Sequence, residues 1–223
     1  MSRFNRLDVL TSLQRSGFLP IFYHDDVSVS KSVMHACAEG GADVFEFTNR
    51  GDSAFSTFKE LVEAARRDHP RLMLGIGSIV DPHTAALFIQ HGADFVVSPS
   101  FNPEVAKLCN RRKIAYIPGC ASATEISNAE ELGCEFVKIF PARELGGPNF
   151  LKALRGPMPW LSAVVTGGIG TEEEELRTWF KAGASAVGIG SGLATAENIE
   201  RQDWAAVTAA TRRIVQSITR ARA

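Results

Sequence analysis

Gly41-Ala42-Asp43-Val44-Phe45-Glu46 recurs in outline three more times. The copies are Gly92-Ala93-Asp94-Phe95-Val96-Val97, Gly133-Cys134-Glu135-Phe136-Val137-Lys138 and Gly183-Ala184-Ser185-Ala186-Val187-Gly188. Each reads as a glycine closing a helix, a small residue, a polar residue, then an apolar strand. Working outward, further apolar runs fall between the copies, giving predicted strands over 18–23, 43–48, 72–78, 95–99, 115–119, 136–141, 163–167 and 186–190. Helical patterns separate them, over 28–39, 53–67, 82–91, 103–111, 123–132, 150–154, 172–182 and 203–220. The glycine copies therefore precede the even-numbered strands. Eight strands, each followed by a helix, match a closed all-parallel (β/α)8 TIM barrel of the α/β class. The strands are short continuous apolar runs, as expected where both faces are covered. A further helix over 7–15 is expected to close the barrel bottom, and residues 1–223 are expected to form a single barrel domain. An open doubly wound sheet is the competing fold. It does not ordinarily need eight similar units in so short a chain.

Composition narrows the function classes. The chain has 223 residues, 45% of them hydrophobic, and a formal net charge of −1. That balance supports a sizeable core and implies no broad attraction to nucleic acid or a membrane surface. No apolar run approaches the ~20 residues of a membrane span. No secretory signal is read at the N-terminus. Four cysteines (Cys37, Cys109, Cys120, Cys134) lack C-x-x-C spacing, which points to reduced thiols in a cytoplasmic protein and away from a zinc site. The acidic run Glu172-Glu173-Glu174-Glu175 suits the start of a helix. His24-Asp25-Asp26 is the one cluster suggestive of a metal. Adjacent residues rarely complete a coordination set, so helix capping is the better reading and no metal is expected.

The chemistry-bearing residues lie at the predicted C-terminal strand ends, where barrels of this kind carry their active sites. Lys138 sits inside Phe136-Val137-Lys138-Ile139-Phe140-Pro141. Alternation places Phe136, Lys138 and Phe140 on one face. Desolvating an ammonium is costly, and a neutral amine is a nucleophile toward ketones. The alternative is a lysine whose head reaches solvent or a carboxylate. Glu46, between Phe45 and Phe47, also sits within a strand. If its face is the interior, strands 2 and 6 bring Glu46 and Lys138 together, as a proton-transfer pair or as an internal ion pair. Arg50 just beyond could hold a carboxylate by two contacts, or be a solvated loop arginine. Thr166-Gly167-Gly168-Ile169 and Gly190-Ser191-Gly192 form glycine turns after strands 7 and 8. Phosphate sites in such barrels are frequently built there, although tight turns alone would look the same. No P-loop motif is present.

Taken in order, these segments resemble the class I 2-keto-3-deoxy-6-phosphogluconate (KDPG) aldolases, which overlap with the 4-hydroxy-2-oxoglutarate (KHG) aldolases. The resemblance runs from about Phe18 to Ala194. It is carried by Phe45-Glu46-Phe47-Thr48-Asn49-Arg50, Gly75-Ile76-Gly77-Ser78, Val97-Ser98-Pro99, Ile117-Pro118-Gly119, Phe136 to Ala142, Gly146-Gly147-Pro148 and Thr166-Gly167-Gly168-Ile169. It implies a homotrimeric, cytoplasmic, metal-independent lyase that needs no cofactor and acts on a small-molecule 2-keto acid. By resemblance, Lys138 is the Schiff-base lysine and Glu46 the general acid/base. Arg50 and Ser78 contact the pyruvate-end carboxylate, and Pro99 and Phe140 wall the pocket. Thr166, Gly167, Gly168, Gly190 and Ser191 line the site, and Gly167, Gly168 and Ser191 bind the distal phosphate. Three positions depart from the family pattern. Tyr23-His24 stands where an arginine is common, Ser78 where threonine is common, and Val165 where proline is common.

Overall fold

The computed structural model describes residues 2–222. Among these residues, nine parallel strand segments alternate with helices around a ring. They are β1 (Phe18–Phe22), β2 (Val44–Thr48), β3 (Met73–Gly77), β4 (Phe95–Val97), β5 (Ala115–Ile117), β6 (Gly119–Cys120), β7 (Val137–Ile139), β8 (Ala163–Thr166) and β9 (Ala186–Ile189). The order around the sheet is β5-β4-β3-β2-β1-β9-β8-β7-β6. β5 and β6 are two halves of one barrel strand, the first paired with β4 and the second with β7. Pro118 separates them because it has no N–H for the ladder. The ring is thus the expected (β/α)8 barrel, with its fifth strand interrupted.

Among the described residues ten helices accompany the strands: α1 (Arg6–Ser16), α2 (Val27–Glu39), α3 (Ala54–Asp68), α4 (Pro82–Gln90), α5 (Pro103–Arg112), α6 (Ala123–Glu131), α7 (Gly147–Arg155), α8 (Glu173–Lys181), α9 (Ala196–Glu200) and α10 (Trp204–Arg222). Two differ from expectation. α7 starts three residues early because Pro148 is tolerated in a first helical turn. The short α9, nucleated by a Thr195–Asn198 capping box, was not read from the sequence. The four repeated glycines behave as anticipated. Gly41, Gly92, Gly133 and Gly183 all have φ between +78° and +109°, the left-handed region that favours glycine. Asp26 caps α2 by accepting from the N–H groups of Ser28 and Val29, so the His24-Asp25-Asp26 cluster is a helix start. The acidic run likewise begins α8.

Two apolar layers hold the fold. The larger one lies between the strands and the outer helices. α10 completes the outer ring by packing on α2 and α8. The second layer fills the barrel interior and contains Leu19, Val44, Phe95, Val97, Ile117, Phe136 and Val164. Val9, Leu10 and Leu13 of α1 join it, so α1 closes the N-terminal end of the barrel as predicted. The apolar plug leaves the C-terminal strand ends open for chemistry.

Candidate active site

At the C-terminal ends of the strands lies a cavity of about 230 Å³. All eleven residues singled out above line it: Glu46, Arg50, Ser78, Pro99, Lys138, Phe140, Thr166, Gly167, Gly168, Gly190 and Ser191. Ile21, Thr48, Ile169 and Gly188 line it as well and were not singled out. Strand alternation could have found Thr48, two residues beyond Glu46, and Ile21 on β1. A larger cleft of about 670 Å³ lies at the opposite end of the molecule, between α1 and the starts of β2 and β3. None of the candidate residues borders it, so volume alone does not locate the chemistry.

Burial grades from floor to mouth. Glu46, Thr48, Lys138 and Thr166 are buried, whereas Arg50, Pro99, Gly168 and Ser191 are exposed. Phe140 is 37% exposed at the mouth, beyond the end of β7 and outside the strand expected to contain it. Lys138 is fixed by its backbone, whose N–H donates to the Pro118 carbonyl at 2.7 Å. Its register against Gly119 on one side and Val164 on the other turns its side chain inward. Lys138 Nζ lies 5.0 Å from the centroid of the Phe140 ring.

Glu46 is 1% exposed, and neither carboxylate oxygen has a hydrogen-bond partner among the described residues. Burial pushes its carboxyl above the ordinary glutamate value. The positive charges of Lys138 and then Arg50 pull the other way without cancelling it. The hydroxyls of Thr48 and Thr166 are also buried without hydrogen-bond partners among the described residues. Buried polar atoms are rarely left unpaired, so four such oxygens around one cavity indicate a place for a polar ligand.

Arg50 follows β2. The Asn49 N–H extends the β2–β3 ladder to the Gly77 carbonyl at 2.8 Å, which aims the next residue at the cavity mouth. Ser78 adopts φ +60°, strained for a side-chain-bearing residue. Tyr23 and His24 do not line the cavity. The Tyr23 hydroxyl donates to Asp25, and its ring packs on Phe47. His24 stacks on Phe22, and its Nδ1 accepts from the Asp26 N–H. Among the described residues, the cations lining the cavity are Arg50 and Lys138. All four cysteines are free and buried, and burial pushes their thiols up to about 12. Among the described residues no three His, Cys, Asp or Glu side chains are grouped to hold a metal, and no helix is long and apolar enough to cross a membrane.

The family model for KDPG and KHG aldolase matches residues 9–210. A 2-dehydro-3-deoxy-phosphogluconate aldolase of Treponema pallidum is 32% identical over 212 residues, covering 95% of this chain and 98% of that protein. Its counterpart in Pseudomonas aeruginosa is 34% identical over 164 residues, covering 74% and 72%. Among solved structures, KDPG aldolase from Legionella pneumophila, with pyruvate captured at low pH as a covalent carbinolamine intermediate, superimposes with a TM-score of 0.82. It is 26% identical, covering 91% of this chain and 96% of that one. The chain belongs to the KDPG and KHG aldolase family of carbon–carbon lyases.

Proposed function

We propose that this enzyme cleaves 2-keto-3-deoxy-6-phosphogluconate to pyruvate and glyceraldehyde 3-phosphate through a Schiff base on Lys138. The observation that carries the reading is the buried, unpartnered Glu46 carboxylate sharing one cavity with Lys138. The amine of Lys138 attacks the C2 ketone to give a carbinolamine. Glu46 gives its proton to the departing hydroxyl, so that loss of water leaves an iminium ion, which acts as the electron sink, and a carboxylate at Glu46. Glu46 takes the proton of the C4 hydroxyl. The C3–C4 electron pair moves into the iminium, releasing the aldehyde and leaving an enamine. Glu46 returns its proton to C3, and water then frees pyruvate and the amine. A carboxyl raised by burial suits both transfers, because it exchanges its proton nearer neutral pH. Arg50 and Ser78 hold the substrate carboxylate, and Pro99 and Phe140 confine the pyruvate half. The backbone of Gly167 and Gly168, with Ser191, takes the distal phosphate beside Thr166 and Gly190. The carbinolamine held by the Legionella pneumophila enzyme supports the covalent route.

The test is incubation with pyruvate and borohydride, followed by intact mass. A pyruvyl adduct mapped to Lys138 and missing from Lys138→Ala is expected. No adduct under any condition overturns the Schiff base.

The same mechanism acting on 4-hydroxy-2-oxoglutarate or another non-phosphorylated 2-keto-3-deoxy acid is the second reading. One observation favours it: apart from Lys138, Arg50 is the cavity's only cation among the described residues. The far end of the substrate then meets backbone N–H groups and a hydroxyl, donors that suit hydroxyl or carboxylate as well as phosphate. Comparing kcat/KM for the two substrates decides between them.

Because the iminium itself is the electron sink, turnover is expected to survive exhaustive chelation. Restoration by added Mg²⁺ or Mn²⁺ would overturn that part. The family resemblance, rather than the chemistry, carries the further proposal of a cytoplasmic homotrimer; sedimentation equilibrium tests the trimer against a monomer or dimer.

A further inference from the structure

The glycine turn after β8 is held by a clamp whose two side chains lie outside the cavity. Arg143 follows β7, and Glu175 sits in the first turn of α8. Three successive carbonyls of the turn are taken from the β7 side. The Ala142 N–H donates to the Thr166 carbonyl at 2.8 Å and the Arg143 N–H to the Gly167 carbonyl at 3.2 Å. Arg143 Nε donates to the Gly168 carbonyl at 2.6 Å. At the far end of the turn, the Gly170 N–H donates to Glu175 Oε1 at 2.9 Å. The same oxygen accepts from Arg143 Nη2 at 2.6 Å.

A planar trans peptide points its N–H opposite its carbonyl. With the carbonyls of 166, 167 and 168 drawn toward residues 142 and 143, the N–H groups of Gly167, Gly168 and Ile169 face the other way. Those three residues line the cavity. Gly167 and Gly168 have φ of +92° and +73°. A Cβ on Gly168 would lie 2.8 Å from Arg143 Nε, so the glycine and the arginine are fitted to each other. Arg143 spends its guanidinium on Gly168 and Glu175, and Glu175 offsets its charge. Its influence on a ligand therefore runs through the turn.

We propose that Arg143 and Glu175 are positioning residues that set the affinity of the site for the distal phosphate, by holding the N–H groups of residues 167–169 toward the cavity. This rests on the phosphorylated-substrate reading above. Both side chains are substantially solvent-accessible, so their ion pair adds little to folding stability, and its loss is expected to loosen the turn rather than unfold the barrel.

The experiment compares wild type with Arg143→Ala, Arg143→Lys, Glu175→Gln and the Arg143→Ala/Glu175→Gln double variant. It measures kcat and KM for the phosphorylated acid and for 4-hydroxy-2-oxoglutarate, inhibition by inorganic phosphate, and the rate of pyruvate adduct trapping. Arg143→Ala is expected to raise KM for the phosphorylated acid, and the inhibition constant of phosphate, by roughly tenfold, the scale of a lost charge-assisted hydrogen bond. Adduct trapping and KM for the non-phosphorylated acid are expected to change far less. Arg143→Lys is expected to recover only part of the loss, because it lacks the fork that reaches both acceptors. The double variant is expected to be no worse than the worse single one, as for two parts of one device. An Arg143→Ala enzyme that keeps wild-type phosphate affinity, or that loses both substrates equally, overturns the clamp. A wild type with no preference for the phosphorylated acid and no inhibition by phosphate sinks the phosphate reading itself, a result visible before any variant is made.

Discussion

The carboxylate of Glu46 occupies the space that a side chain at residue 77 would need. A Cβ on Gly77 would overlap Glu46 Oε1 and crowd its Cδ and Cγ. β3 reads Met73-Leu74-Gly75-Ile76-Gly77, and its inward-facing glycines make room for two neighbours. Gly75 leaves space for the Phe95 ring, and Gly77 for the glutamate. Glycine weakens a strand, so its presence at both positions marks a close approach.

Gly77→Ala is therefore expected to displace the carboxylate. Cleavage should fall ~10²-fold, as for loss of a general acid/base. Overpacking should cost about 1–3 kcal/mol. Steady-state kinetics and chemical denaturation check this. Wild-type turnover with unchanged stability would mean that Glu46 has another productive position.

Glu46→Gln is expected to trap pyruvate but to cleave ~10²-fold more slowly or worse. Its stability should also depend on pH differently from wild type. In the folded wild type the carboxyl is raised above its ordinary 4.5. Between those two values the folded state keeps a proton that the unfolded chain has lost. Wild-type stability therefore falls as pH rises through that window, then levels off. Glutamine does not ionise, so the variant's melting temperature relative to wild type should climb from about pH 4.5 toward neutral. A difference that stays flat or shrinks across a series of melts contradicts a carboxyl raised by burial.

Thr48 carries a buried hydroxyl with no partner among the described residues, two residues from Glu46 and on the same wall. If the bound substrate supplies that partner, Thr48→Val should lower kcat/KM about tenfold, the value of one hydrogen bond near 1.4 kcal/mol. The free enzyme should be no less stable, because an unsatisfied polar atom has been removed. Thr48→Ser should retain most of the activity. Full turnover in the valine variant would reduce Thr48 to part of the cavity wall.

Leu13 is 1% exposed and belongs to the interior layer beneath the cavity. Leu13→Ala should cost about 2–5 kcal/mol in urea denaturation, because it leaves a void in the plug. Pyruvate trapping by the folded variant should continue at close to the wild-type rate. A stability change below ~1 kcal/mol would mean that the α1 plug collapses onto the void at little cost.

Much of this architecture was legible from local chemistry. Strand and helix alternation, Gly41 with its three counterparts, and Asp26 as a helix cap are all set by residues close in sequence. Period-2 alternation also put Phe136, Lys138 and Phe140 on one face, since it depends only on backbone pleat, and left open whether the faces of Lys138 and Glu46 turn inward. It did not reveal where a strand stops. Phe140 lies beyond β7, and Pro118 divides its strand. The closing helix α1 was anticipated, whereas α9 was not.

By itself, then, the sequence determined the order of elements, which side chains share a strand face and the chemical groups delivered to one end of the barrel. These follow from steric and hydrophobic rules acting over a few residues. Only the tertiary structure decided which groups meet. That Glu46 fits over Gly77, that Tyr23 and His24 turn away from the cavity, and that Arg143 reaches Glu175 all depend on strand stagger and loop packing. Those are fixed when the ring closes and distant segments share one volume, which no local pattern encodes.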